Sequence, residues 1–128
     1  MYLDTHYCKI WYEQEIKSAA IKWFGSPKSE KFREACMLVI DVLKNHNSHK
    51  VLTDNSNAVI FSRTDQRWLN EEWLPLAEKA GYRVSATVIK DDPFVKFAVS
   101  NIVKERDKKF TTKSFSSQQE AKEWLKSL

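Results

Sequence analysis

Glycine is scarce in this chain, at 2 of 128 residues, and proline stands at 3. That leaves little room for flexible linkers or for a Gly-rich phosphate-binding loop. No apolar run approaches the roughly 20 residues that a membrane-spanning helix needs. The opening Met1-Tyr2-Leu3-Asp4-Thr5-His6 lacks the basic-then-apolar pattern of a secretory signal, so a cytoplasmic protein is expected. Internal repeats and low-complexity segments are absent as well. Cysteine is nearly absent: Cys8 and Cys36 are expected to be buried free thiols that behave as small hydrophobes.

What is present belongs to a soluble globular protein: 42% hydrophobic, 12% aromatic and 30% charged residues. A chain of this length is expected to form one domain, 1–128, with a real core. The net charge of +4 and a pI near 9.0 raise the question of nucleic acid. The basic residues are scattered, however. Lys28, Lys31 and Arg33 sit on one predicted helix; Lys104, Arg106, Lys108 and Lys109 follow another and are interrupted by Glu105 and Asp107. A nucleic-acid binder concentrates its charge on one face, so these read as solvated faces and nucleic acid is not expected.

Periodicity gives the elements. Tyr7–Tyr12 and Ala19–Phe24 read as two strands joined through the polar turn Glu13–Ser18, an antiparallel hairpin. Ser26-Pro27 has the chemistry of a helix start, and Phe32, Cys36, Val39 and Leu43 recur at helical spacing until Asn45-His46-Asn47-Ser48. Val51-Leu52 is the centre of a short third strand. The next helix opens at Ser62, carries Leu69, Trp73, Leu76 and Ala80 on its apolar stripe, is kinked by Pro75 and stops at Gly81. Arg83–Ile89 is a central strand. Asp92-Pro93 starts a helix with Phe94, Phe97, Ala98 and Ile102 on its buried side. Phe110–Phe115 is the last strand, and Ser117-Gln118-Gln119-Glu120 is a capping box for a final helix burying Ala121, Trp124 and Leu125. The order ββαβαβαβα predicts an α/β fold with a mixed five-stranded sheet, four helices and an antiparallel first edge strand.

Between the third strand and its helix lies Asp54-Asn55-Ser56-Asn57. Read as a loop, this cluster either bonds its own backbone or forms a ligand site at the carboxyl end of a parallel strand. His46 and His49 have a spacing that metal sites use, but no Cys or Glu at helical spacing accompanies them, so neither metal nor cofactor is expected. Cys36 has no evident base beside it, and Glu71-Glu72 reads as a helix surface; no enzyme is expected. Among five tryptophans, Trp68 first and then Trp73 are candidates to line a groove or a subunit contact.

The element order, with Asp54 after the third strand and then Asp65, Trp68, Trp73, Pro75 and Ala80-Gly81, resembles the STAS-like fold of anti-sigma-factor antagonists and sulfate-transporter cytoplasmic domains. More closely it resembles small bacterial proteins of that fold, akin in shape to CRAL-TRIO domains, that have no established activity. The resemblance implies a non-enzymatic regulatory, signalling or protein-interaction module. In regulatory members a serine in an Asp-Ser-Ser-Gly-like motif is phosphorylated after the third strand. Phe61-Ser62-Arg63-Thr64-Asp65 stands there here, so Ser62 or Thr64 would be the phosphoacceptor, although the flanking Asp and Gly are absent. The alternative is a carrier of a small apolar or amphipathic, lipid-like ligand, with Asp54, Asn55, Ser56, Asn57, Asp65, Trp68 and Trp73 as the candidate ligand or partner surface. A homodimer is expected through the outer face of the first strands or the Trp68 helix surface.

Overall fold

Side chains alternate across a strand, so each strand of a sheet covered on both faces must serve two cores. The structure, a computed structural model, describes residues 1–58, 61–104 and 110–128, without the side chains of 98, 99 and 101–103. Its sheet has six strands in chain order: β1 (Leu3–Asp4), β2 (Cys8–Glu13), β3 (Ser18–Gly25), β4 (Lys50–Ala58), β5 (Val84–Val88) and β6 (Thr111–Phe115). The pairs β1–β2 and β2–β3 are antiparallel, and every later pair is parallel.

The expected five strands thus become six. Leu3 and Asp4 pair with Ile10 and Lys9, which moves the first expected strand one place in from the edge. A two-residue strand carries no periodicity to read. The hairpin between β2 and β3 turns through a 3₁₀ segment, Gln14–Ile16, and Lys17 at φ 53°.

Helix α1 (Ser29–His46) begins later than Ser26-Pro27 suggests. Its cap position is Lys28, without a side-chain bond, because the strand runs on to Gly25 and Ser29 donates its hydroxyl to Asp65 Oδ2 at 2.9 Å. Asn47, left-handed at φ 50°, ends it. After β4 come α2 (Arg63–Trp68), a π-helical turn over Leu69–Trp73, and α3 (Leu74–Lys79). Pro75 explains the wide turn. It has no N–H for the helical ladder and its ring crowds the preceding turn, so Leu74 N–H reaches back five residues to Leu69 O. Helix α4 (Pro93–Lys104) starts on Asp92, whose carboxylate accepts from Phe94 N–H at 2.8 Å. Helix α5 (Gln118–Lys126) starts on Ser117, which accepts from Glu120 N–H at 3.2 Å. Among the described residues no helix is long and apolar enough to cross a membrane.

Two cores result. One unites Cys8, Ile10, Ala19, Ile21, Trp23 and Val51 of the sheet with α1 and with Trp73, Leu74 and Ala77. The other lies on the opposite face, where α5 seats Ala121 and Leu125 against Ala20, Leu52, Ala86 and Val88. Burying a leucine like Leu125 is worth about 1.5–3 kcal/mol. Lys50 locks the end of α5, donating to the carbonyls of Leu125 (2.6 Å), Leu128 (3.1 Å) and Ile16 (3.3 Å).

The apolar stripe expected on α4 is only partly tested. Phe94 and Phe97 are exposed, at 77% and 66%, contrary to expectation. They lie three residues apart, so both fall on one side of the helix, and that side faces solvent. The side chains of Ala98 and Ile102 lie outside the described residues, as do Glu105, Arg106, Asp107, Lys108 and Lys109.

Candidate functional site

Parallel strands buried on both faces usually read as continuous apolar runs. Strands β4 and β5 depart from this on the face covered by α1, which takes Thr53 and Asn55 from β4 and Ser85 and Thr87 from β5. Register sets the hydroxyls in a patch: Thr53 is paired with Thr87, and Ser85 with Thr112 of β6. Ser85 Oγ lies 3.3 Å from Thr112 Oγ1.

Above this floor is a cavity of about 100 Å³. Its walls are aromatic. Trp23, Phe32 and Phe61 form a mutual cluster, with ring centroids 5.1, 5.5 and 4.5 Å apart, and Trp73 lies 5.6 Å from Tyr82. Trp73 is fixed by its indole N–H, which donates to Cys36 O at 2.7 Å. The π turn places Leu69 and Trp73 at the lining together. Among the described residues no acidic or basic side chain lines the space. Asn55 adds a feature of its own: its Oδ1 is buried and has no hydrogen-bond partner among the described residues. The hydroxyl-bearing Thr53 and Thr87 line the same space.

Cys36 also reaches the lining, as a buried thiol. Burial first, then Cys8 and Asp65, push its thiol well above the ordinary range. Burial likewise pushes Cys8 up to about 12. Both cysteines are buried and free, as the sequence suggested.

The polar cluster Asp54-Asn55-Ser56-Asn57 is not a loop but the second half of β4. Poor strand formers are held there because the fold answers them one by one. Asp54, 3% exposed, faces the α5 side. Its Oδ1 accepts from the N–H (2.9 Å) and hydroxyl of Ser56, and its Oδ2 from Gln118 Nε2 (2.8 Å), with Lys22 Nζ 3.9 Å away. Asn55 points the other way, to the cavity. A register shift opposite Lys22–Phe24 absorbs the extra residue, and Asn57 is exposed.

The remaining candidates are dispersed. Asp65 is buried, bonded to Ser29 and, at 3.4 Å, to Arg33, so it ties α2 to α1. Trp68 is half-buried under the Arg33 guanidinium, 5.3 Å from its ring, and is not part of the lining, whereas Trp73 is. Ser62 and Thr64 are exposed at the start of α2, and Ser62 Oγ accepts from Asp65 N–H at 3.1 Å. His46 stacks on Tyr12 with centroids 3.7 Å apart, while His49 bonds Gly81 O at 2.8 Å. The two histidines are thus committed to different neighbours.

The sequence points to Asn55 and Trp73 but not to Thr53, Ser85, Thr87 or the Trp23–Phe32–Phe61 cluster. Hydroxyls two residues apart on two neighbouring central strands were the available signal. No protein-family model and no curated protein matches the chain. Among solved structures it is similar to an uncharacterized protein of the DUF3478 family from Shewanella loihica PV-4, described as having a SpoIIAA-like fold. The two share 18% identity over 98% of each chain, with a TM-score of 0.68. That likeness shows the fold: the chain has the SpoIIAA-like, STAS-like arrangement that its element order resembles.

Proposed function

We propose that this protein is a non-enzymatic binding module that holds a small amphipathic molecule between its sheet and the α1 and α2–α3 helices. One observation carries the reading: a hydroxyl and carboxamide floor under an aromatic wall, with no charged side chain among the described residues of the lining. Ligand sites have this make-up, mostly apolar with a few placed polar groups. They also favour the carboxyl ends of parallel strands, where Thr53, Asn55 and Thr87 stand. Native mass spectrometry of protein purified from its own cells tests it. The expected result is a second mass, released on denaturation, beside the 15.0 kDa chain. Only the bare chain, with no small molecule able to shift it, would overturn the reading.

A protein-interaction module of the regulatory kind is the second reading. It is favoured by the exposed pair Phe94 and Phe97, since large exposed aromatics suit a partner surface. Phosphorylation of Ser62 or Thr64 belongs to it, and the same spectrum would reveal it as a gain of about 80 Da per phosphate added.

A further inference from the structure

We infer that the cavity selects an uncharged molecule bearing a hydrogen-bond donor, no larger than about one ring, whose donor is taken by Asn55 Oδ1 with the hydroxyls of Thr53 and Thr87 on the same floor. This rests on the binding role proposed above and names the chemistry of the ligand.

Charge comes first. A carboxylate or ammonium moved out of water needs a partner of opposite sign, and the described lining offers none. The charged groups that lie nearby are turned to other work. Asp65 is bonded to Ser29 and Arg33 on the α1 side, and Asp54 to Ser56 and Gln118 on the α5 side of the sheet. The fixed negative charge of Asp65 is close enough to act on Cys36, and it would oppose an anion further.

Polarity comes next. The carboxamide oxygen of Asn55 can only accept, and a buried acceptor left unpaired is unfavourable. A ligand that donates there removes that cost, whereas a ligand that only accepts, or has no polar group, leaves it in place. Thr53 and Thr87, side by side across β4 and β5, can give or accept and so suit either lone pair of the same hydroxyl. Size is set by the roughly 100 Å³ available. An apolar cavity of about 150 Å³ takes up benzene, so one small ring, or a chain of a few carbons, is the upper limit. The rings of Trp23, Phe61 and Trp73 give such a ring faces and edges to pack on.

The test uses the full chain and three probes of similar size: phenol, toluene and benzoate. Trp23 and Trp73 line the cavity, so tryptophan fluorescence reports occupancy. Phenol should bind about tenfold more tightly than toluene, the worth of one buried hydrogen bond with its partner otherwise unpaired. Benzoate should not compete. In Asn55→Leu the preference of phenol over toluene should disappear while toluene still binds. If that variant does not fold, the Asn55 side-chain amide resonance of the unaltered protein decides, since it should shift with phenol and not with toluene. Equal binding of phenol and toluene, or a preference that survives Asn55→Leu, overturns the inference and leaves the binding role standing. Failure of all three probes, with no co-purified molecule, removes both.

Discussion

Ser62 has one acceptor oxygen and spends it on its own helix, taking the N–H of Asp65 at 3.1 Å. Such a cap is worth about 1 kcal/mol. Ser62→Ala should therefore lower stability by about 1 kcal/mol in thermal or denaturant unfolding, and Ser62→Asp should cost little, because Asp also caps and suits the helix start. An unmoved melting curve with loss of a measured partner interaction would assign the residue to a partner instead. This cap was legible because its chemistry is local. Four residues of sequence contain both the oxygen and the N–H it satisfies. Asn55 was not legible in the same way. What makes its carboxamide notable is the cavity beside it, assembled from Trp23, Phe32, Phe61 and Trp73, residues far apart in the chain.

Elements divide along the same line. Helix α1 follows from its periodic apolar positions, α5 from these and its cap Ser117, and α2–α3 from Ser62 and Gly81, whose φ of 109° ends the run at Ala80. β1 and the second half of β4 escaped, for different reasons. β1 is two residues long. β4 is long enough, but its second half has the composition of a turn, and only partners from elsewhere make it a strand: Gln118 from α5 for Asp54, and the ladder to β3 for Asn57 and Ala58. Its placement between β3 and β5 has a measurable consequence. Backbone amides of Val51–Asp54 lie in ladders on both sides, and the pairing with β3 continues to Ala58. Hydrogen exchange followed by mass spectrometry should show slow exchange across 51–58, as expected for a central strand. Rapid exchange over 54–58 would return the cluster to a loop and dissolve the cavity floor with it.

At the scale of the whole molecule, three parallel crossovers taken in one direction leave the far face of the sheet in need of cover. That need is the reason the sequence offers for a homodimer. The chain meets most of it alone, because α5 lies over β4, β5 and β6 and buries Ala121 and Leu125 there. The part that remains is the half-polar surface of β2 and β3, where Glu13 and Lys22 already have partners. Glu13 accepts from the Trp11 indole at 3.0 Å and pairs with Lys122 of α5 at 3.0 Å, contacts that hold its carboxyl below the ordinary range. Lys22 lies near Asp54 and 5.4 Å over the ring of Phe24. Docking a second copy would strip water from these pairs, a cost that opposes association. Sedimentation at micromolar concentration should accordingly give one species near 15.0 kDa. Lys122→Ala should leave that mass unchanged while weakening the hold of α5 on the hairpin. A dimer that persists when Lys122 is removed and dissociates on Trp11→Ala would instead make the outer face of the first strands a true interface.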